Sequence, residues 1–156
     1  MSSQQRGRTI QLYTIGFTQK SAEVFFGMVC RAGVRRVVDV RLQNISQLTG
    51  FSKRDDLAYF LRAICQIDYV HMPNLAPSKE LFDAIKKHGL DWPGYERRFF
   101  EILRARQIEQ TVSKDLIDGA CLLCTEPTPE HCHRRLVAEY LREHWTDDVV
   151  EITHLV

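Results

Sequence analysis

The segment that most restricts the fold of this chain is a nearly continuous apolar run at residues 120–125, Ala-Cys-Leu-Leu-Cys-Thr. A strand that is apolar on both faces must be covered on both faces, as strands of parallel sheets are covered by helices. We therefore expect this run to be a central strand of a sheet that lies between two layers of helices.

The remaining chain alternates between β-prone and helical segments. Short β-prone runs predict strands near residues 11–16, 34–41, 68–72 and 149–155. Apolar residues at helical spacing predict helices near residues 21–33, 52–64, 78–88, 93–103 and 128–145. Residues 104–118 are ambiguous. Such alternation is typical of parallel strands joined by right-handed crossovers. The sequence therefore predicts one α/β domain, with a mainly parallel, twisted sheet of about five strands and helices on both faces.

Composition and charge fit one ordinary soluble domain. The chain has 156 residues, of which 44% are apolar, and this size allows a substantial core without disulfides or a structural metal. We expect residues 1–9 to form a flexible tail and residues 10–156 to form the domain. The net charge of +1 does not favour non-specific nucleic-acid binding, and no apolar segment reaches the roughly 20 residues needed to cross a bilayer.

The five cysteines are Cys30, Cys65, Cys121, Cys124 and Cys132. Their odd number, and a polar first eight residues without the features of a signal peptide, predict free thiols in a cytoplasmic protein. Because free cysteine is among the most buried residue types, we expect Cys30, Cys65 and Cys121 in the core. Cys124 and Cys132 are the candidates for chemistry.

Polar residues end several of the predicted strands. The carboxyl ends of parallel strands meet at one edge of the sheet, and ligands of open α/β sheets bind outside that edge. The sequence therefore predicts a site at this edge, to which the strand ends contribute Thr14, Gly16, Asp39, Arg41, His71, Cys124 and Glu126.

The segment 124–135 carries the highest density of reactive side chains. Cys124 and Glu126 share a strand face, whereas Cys121 points to the opposite face, so Cys121 and Cys124 are not a metal-binding pair. We expect Thr128 and Pro129 to start the last helix.

The apolar stripe of that helix sets the direction of the residues near its start. It turns His133 toward the sheet and places Cys132 and Arg134 beside it, with His131 and Arg135 directed to solvent. A cysteine in a first helical turn has a lowered pKa, which favours a thiolate at Cys132.

Each of these residues also has a purely structural interpretation. His133 could cap the helix start, His71 could be a hydrogen-bonding residue of the strand end, and Asp39 with Arg41 could form an ion pair that holds the following loop. An aromatic stripe is expected in the core, and a basic set on the surface, with nucleic-acid binding as the alternative for the basic set. The stripe is Tyr95 and Phe99, and the basic set is Arg97, Arg98, Arg104 and Arg106.

Several known signatures are absent from the sequence. It has no G-x-G-x-x-G after a strand and no Walker loop. It also lacks a cysteine followed six residues later by arginine in a glycine-rich loop, and the His-x-Glu with Cys-x-x-Cys of zinc deaminases. These absences argue against the corresponding nucleotide-binding, phosphatase, sulfur-transfer and deaminase chemistries.

The ordered motifs resemble those of the domain of unknown function 488 family. They are Thr14-Ile15-Gly16, Asp39-Val40-Arg41, Phe51, Tyr69 with His71 and Leu75, Leu123-Cys124 to Glu126, and Cys132-His133-Arg134. The resemblance covers about residues 12–155 and implies an α/β domain without an assigned activity. The chain departs from many relatives at Phe17 and at Ala76-Pro77, which suggests a subfamily. The loop 41–47 looks specific to that subfamily.

The first functional hypothesis is an enzyme at the carboxyl edge of the sheet that acts on an anionic substrate, with a nucleotide or a nucleic acid as the suggested class. Either reactive cysteine supplies a thiolate, and paired arginines hold the anion through bidentate hydrogen bonds. The candidate catalytic residues are Cys124, Cys132, His133, Glu126 and His71. The candidate ligand-binding residues are Thr14, Gly16, Asp39, Arg41, Asn44, Ser46, Gln47 and Arg134.

Two alternatives belong to other functional classes. Cys124, Cys132 and His133, with His71 or Glu126, could bind zinc or another metal, since sulfur and imidazole suit that ion. The other alternative is a non-catalytic module that binds nucleic acid. The sequence predicts no particular cofactor, reaction class or oligomeric state.

Overall fold

The computed structural model describes residues 7–156, except for the side chain of residue 48. Five strands form one parallel sheet with the order β3-β2-β4-β1-β5. The strands are β1 (Thr9–Gly16), β2 (Arg36–Asp39), β3 (Asp68–His71), β4 (Ala120–Cys124) and β5 (Val149–Leu155). The predicted class, an α/β domain with a parallel sheet of five strands, is confirmed.

Helices connect each strand to the next. They are α1 (Ala22–Ala32), α2 (Arg54–Phe60), α3 (Lys79–Lys87), α4 (Trp92–Ala105), α5 (Ile108–Thr111), α6 (Lys114–Ile117) and α7 (His133–His144). Short 3₁₀ turns at Gln47–Ser52 and Pro73–Leu75 and a π turn at Leu61–Cys65 complete the connections. The ambiguous segment 104–118 thus contains the end of α4 and two single-turn helices.

Strand β4 is the middle strand and is buried over its whole length, as its apolar sequence predicts. Its side chains alternate between two core clusters. Leu122 and Cys124 pack in the cluster that includes α4 and α7, while Cys121 and Leu123 pack in the cluster formed with α1 and α2. The predicted separation of Cys121 from Cys124 is therefore confirmed.

Local capping signals locate some helix ends correctly. The Ser21 side chain accepts a hydrogen bond from the Val24 N–H at the start of α1, and Gly33 ends that helix with φ 74°. Ser78 and Asp91 cap α3 and α4 in the same way. Side-chain oxygens at these positions satisfy N–H groups that the first helical turn leaves unpaired.

Two predicted helix starts are wrong. Helix α2 begins at Arg54, because the Ser52 hydroxyl donates to the Thr49 carbonyl instead of capping the helix. Helix α7 begins at His133 instead of near Thr128. Cys132 occupies the N-cap with extended φ −135° and ψ 136°, so helical hydrogen bonding cannot continue back through it.

Residues 8 and 9 of the predicted tail are part of the folded domain. Strand β1 begins at Thr9, and Arg8 pairs with Asp115 through its side chain and with Asp148 through its backbone N–H. The part of the predicted tail at residues 1–6 lies outside the described residues.

The cysteine prediction is wrong for one pair. Cys30 is exposed at the end of α1 and forms a disulfide with the half-buried Cys65, with a Cα–Cα distance of 5.3 Å. Cys30 lies off the buried face of α1, which consists of Phe25, Phe26 and Val29. Cys121, Cys124 and Cys132 are free and buried.

No helix within residues 7–156 is long and apolar enough to span a membrane.

Candidate active site

A thiol–imidazole cluster lies where β4 ends and α7 begins. Cys124 is the last residue of β4, Cys132 is the N-cap of α7, and His133 is the first residue of that helix. Their sulfur and ring-nitrogen atoms all lie within 4.8 Å of one another. The fold therefore brings together the three residues that the sequence selected as its main chemical candidates.

His133 is fixed by a backbone group of a neighbouring strand end. Its Nε2 lies 2.6 Å from the carbonyl oxygen of Val40, directly after β2. A carbonyl oxygen can only accept a hydrogen bond, so Nε2 carries the proton and Nδ1 is left without one. Burial lowers the pKa of His133, which keeps the ring neutral.

Cys124 lies against this ring. Its Sγ is 3.3 Å from Nδ1 and 3.6 Å from Nε2 of His133. A sulfur in line with the Nδ1 lone pair would lie much farther from Nε2 than from Nδ1. The nearly equal distances therefore place the sulfur over the face of the imidazole.

The surroundings of Cys124 favour its anionic form. Burial raises the pKa of the thiol, but the hydrogen bonds from Cys132 and the Thr125 N–H, together with the charge of Arg134, outweigh burial and lower it. The hydrogen bond to Cys124, followed by burial, raises the pKa of Cys132. Cys132 is therefore the thiol that donates, and Cys124 is the sulfur that accepts. The predicted lowering of the Cys132 pKa is therefore wrong, because the stabilising contacts fall on Cys124.

Arg134 brings a positive charge into the interior and has no carboxylate partner among the described residues. The residue is 0% exposed, and it donates from Nε to Thr14 Oγ1 at 3.3 Å and from Nη1 to the Glu126 carbonyl at 2.6 Å. Its Nη2 has no hydrogen-bond partner within residues 7–156. An uncompensated buried charge is costly, and a thiolate at Cys124 would supply the opposite charge.

Gly16 makes this arrangement possible. It lies opposite Cys124 in the β1–β4 register. A Cβ at this position would lie 1.6 Å from the Glu126 carbonyl oxygen and 2.9 Å from Arg134 Nη1. Position 16 therefore has to be glycine for the segment after β4 to pack against β1. Packing alone therefore explains the glycine, without the ligand-binding role that the sequence predicted for Gly16.

A pocket of about 360 Å³ opens beside the cluster. It is bounded by the loop after β2, by α3 and the start of α4, and by the segment between β4 and α7. The lining residues are Arg41, Leu42, Gln43, Ser46, Pro77, Phe82, Ile85, Lys86, Trp92, Tyr95, Cys124, Thr125, Glu126, His131, Cys132 and His133. Cys124 is only 5% exposed but is part of this lining, so a small molecule in the pocket would be next to its sulfur.

Aromatic rings form one wall of the pocket. Trp92 stacks on both Tyr95 and His131, with ring centroids 4.9 and 5.0 Å apart. Tyr95 is buried, as predicted for a core residue, and also lines the pocket. The prediction that His131 points away from the site is wrong, because α7 starts two residues after it and the helical angle used for the prediction does not apply.

Asp39 and Arg41 form the ion pair that the structural interpretation proposed. The pair is buried, with Arg41 Nη2 2.8 Å from Asp39 Oδ2 and Arg41 Nε 2.9 Å from Oδ1. Tyr69 and Asn44 also donate to Asp39, and Arg41 Nη2 donates to the Ser52 carbonyl at 2.7 Å. Burial raises the pKa of Asp39, but the hydrogen bond and charge of Arg41 lower it further. This network holds the loop that follows β2.

The other predicted residues fall into three groups. Arg41, Ser46 and Glu126 line the pocket together with the cluster. Thr14 and Arg134 lie behind it and contact each other, and Thr14 also hydrogen-bonds to His154. His71, Asn44 and Gln47 are not among the lining residues: His71 hydrogen-bonds to the Arg41 carbonyl, Asn44 to Asp39 and Tyr69, and Gln47 to Lys53.

Sequence reasoning missed several contributors to the site. The Val40 carbonyl is a backbone group without a side-chain signal, and Tyr69 was noted only as a motif residue. Phe82, Lys86 and Trp92 come from helices predicted only as cover for the sheet.

Cys124, Cys132 and His133 are also the residues that could hold a metal, and zinc suits this donor set. As placed, they provide three donors, with one sulfur over the imidazole face and Nε2 occupied by Val40. Metal binding through Nδ1 would require the ring to turn relative to Cys124. Of the proposed fourth ligands, Glu126 lines the pocket, whereas His71 is bonded to the Arg41 carbonyl.

A family profile described as the domain of unknown function DUF488 matches residues 21–141. The chain therefore belongs to this family, as its motifs suggested. No curated protein and no solved structure matches the chain. The matched segment contains the thiol–imidazole cluster and the Asp39 network, whereas Thr14 and Gly16 precede it.

Proposed function

We propose that this protein is an enzyme in which the thiolate of Cys124 attacks an electrophilic atom of a small substrate bound in the pocket. The observation that carries the proposal is the set of contacts at Cys124. Its sulfur accepts hydrogen bonds from Cys132 and the Thr125 N–H, lies near the Arg134 guanidinium, whose Nη2 has no partner within residues 7–156, and lines the pocket. A stabilised thiolate with access to a pocket is the arrangement that nucleophilic cysteine catalysis requires.

His133 is the proposed proton-transfer group. The Val40 carbonyl holds the proton on Nε2, so the unprotonated Nδ1 can accept a proton from a bound substrate. Cys132 stabilises the thiolate before the attack and is not the nucleophile. Glu126 lines the same pocket and is the proposed second acid or base.

The pocket suggests a small substrate that carries an anionic group. Its volume of about 360 Å³ lies in the usual range of small-molecule sites. Of the two anion-binding candidates from the sequence, Arg41 uses most of its donors within the protein, and Arg134 is not among the lining residues. Lys86 is a lining cation that forms no ion pair within residues 7–156, and we assign the anion-binding role to it.

Alkylation of Cys124 with iodoacetamide as a function of pH tests the proposal. We expect Cys124 to be the fastest-reacting of the three free cysteines, with a rate inflection below the ordinary thiol pKa of about 8.5. Mass spectrometry of the digested protein assigns the label, and Cys121→Ser is the matched control because Cys121 is also buried but lies on the opposite sheet face. An inflection at or above 8.5, or preferential labelling of Cys132, would show that Cys124 is not the thiolate.

Elemental analysis tests the metal alternative on the same sample. Protein purified without added metal is expected to contain far less than one zinc per chain. A content close to one zinc per chain, lost on Cys124→Ser substitution, would replace the nucleophile proposal with the metal site.

A further inference from the structure

Two sulfur atoms of the candidate site lie close together. Those of Cys124 and Cys132 are within 4.8 Å of each other. Cys124 and Cys132 are 5% and 2% exposed, and both line the pocket. A small reagent bound in the pocket is therefore next to both sulfurs.

We propose that Cys124 and Cys132 form a redox pair that reduces small hydroperoxides. This inference rests on the proposed role of Cys124 as the nucleophile, and it adds a second activity at the same site. Cys124 reacts first, and Cys132 then closes a disulfide with it.

The reaction has two balanced steps. The Cys124 thiolate attacks the terminal oxygen of a hydroperoxide, the O–O bond breaks, and the departing alkoxide takes up a proton, which gives Cys124 sulfenic acid and an alcohol. The Cys132 sulfur then attacks the sulfenic sulfur, the S–O bond breaks, and the released hydroxide takes the Cys132 proton and leaves as water. The hydroperoxide gains two electrons and the two thiols become one disulfide. An added dithiol, such as dithiothreitol, restores the reduced pair.

The position of Cys132 suits the second step. Its backbone is extended at the N-cap of α7 and follows the loop after β4, so its sulfur can approach Cys124 without unwinding a helical turn. The remaining cysteines cannot substitute for it. Cys121 points to the opposite face of β4, and Cys30 and Cys65 are paired with each other.

The positions of the two thiols set the order of events. The attacking sulfur must be ionised, and Cys124 lies opposite Gly16, next to the buried guanidinium of Arg134, whose Nη2 has no partner within residues 7–156. Cys132 lies at the N-cap of α7 and attacks once Cys124 is oxidised.

The experiment uses the full chain with Cys30→Ser and Cys65→Ser, which removes the other disulfide. The protein is reduced, freed of reductant and treated with hydrogen peroxide, and thiols and residual peroxide are then counted. Cleavage after Glu130 separates Cys124 from Cys132, so only a disulfide can keep the two fragments together. We expect one peroxide consumed and two thiols lost per chain, with the fragments joined.

Single substitutions separate the two steps. Cys132→Ser should stop at Cys124 sulfenic acid, which dimedone traps, and Cys124→Ser should reduce peroxide consumption at least tenfold. Cys121→Ser should behave as the parent. Rapid iodoacetamide labelling of Cys124 without a Cys124–Cys132 disulfide would overturn the redox pair and leave the proposed function in place. Slow labelling together with no disulfide would overturn both.

Discussion

The carbonyl oxygen of Val40 accepts a hydrogen bond of 2.6 Å from Nε2 of His133. Val40 lies between Asp39 and Arg41, whose buried ion pair holds this stretch of backbone, and its own N–H donates to the Leu123 carbonyl. The ion pair therefore influences the thiol site through the backbone. It positions the Val40 carbonyl, which keeps the proton of His133 on Nε2.

Removal of the Cys132 thiol is expected to make Cys124 a weaker acid. Cys132→Ala removes a hydrogen bond to the thiolate, so the pKa of Cys124 should rise and the alkylation inflection should move to higher pH. The pH dependence of iodoacetamide labelling measures the shift, with Cys121→Ala as the control. An unchanged profile in Cys132→Ala would show that the hydrogen bond does not stabilise the thiolate.

The charge of Arg134 is expected to contribute independently of its packing. Arg134→Met removes the charge and should raise the pKa of Cys124, whereas Arg134→Lys keeps the charge and should shift the labelling profile less. Circular dichroism and thermal unfolding check that both variants are folded. Identical profiles in the two folded variants would contradict an electrostatic role.

Gly16→Ala is expected to destabilise the protein through backbone overlap. Its new Cβ would lie 1.6 Å from the Glu126 carbonyl oxygen, which cannot move without displacing the segment bonded to Arg134. We expect a loss of about 1–3 kcal/mol in the free energy of unfolding, measured in urea, and slower labelling of Cys124.

The matched control for position 16 is Gly27→Ala. Only the flexible end of Arg31 lies near a Cβ at position 27, and the site is inside α1. This substitution should therefore stabilise the protein by about 0.5–1 kcal/mol. Equal effects at the two positions would show that the close approach at Gly16 is unimportant.

Asp39 is expected to make stability depend on acidic pH. Its pKa in the folded protein is lower than in the unfolded chain, so its contribution is complete above the unfolded pKa of about 4. The contribution is lost as the pH falls through the lower, folded value. Asp39→Asn should cost ~3 kcal/mol at pH 7, because it leaves Arg41 buried without its counter-charge.

Urea unfolding between pH 3 and pH 7 measures this contribution, and Asp39→Asn should flatten the acid part of the curve. Asp115→Asn is the control, since Asp115 pairs with Arg8 on the surface and the change should have little effect. An equally steep acid loss in Asp39→Asn would assign the pH dependence to other carboxyl groups.

The Cys30–Cys65 disulfide is expected to support the fold without affecting the site. Its removal by Cys30→Ser with Cys65→Ser should cost about 2–4 kcal/mol, because a link across 35 residues restricts the unfolded chain. The labelling rate of Cys124 should stay the same. A changed rate would show that α1 and the π turn communicate with the opposite sheet face.

Local patterns were sufficient for the layers and most element positions. The apolar run at residues 120–125 predicted a central strand, and β4 is buried in the middle of the sheet. Ser21 and Gly33 marked the ends of α1 because capping depends on neighbours within one helical turn. The same local logic failed at Ser52, whose hydroxyl is taken by the turn before α2.

The sequence predicted some features of the candidate site and not others. Strand alternation placed Cys124 and Cys121 on opposite faces, and the parallel topology brought Cys124, Cys132 and His133 to one edge. No spacing in the sequence indicated that Cys124, and not Cys132, would receive the stabilising contacts. That outcome depends on where α7 begins and on the guanidinium of Arg134, which hydrogen-bonds to Thr14 of β1.

The sequence alone thus determined the α/β class, the order of the elements and the edge at which reactive side chains collect, because periodicity and capping act over a few residues. Only the tertiary structure decided that Cys30 pairs with Cys65, that Tyr69 donates to Asp39 and that Val40 fixes His133. These contacts join residues far apart in the chain, and packing of the complete sheet and its helices sets their distances.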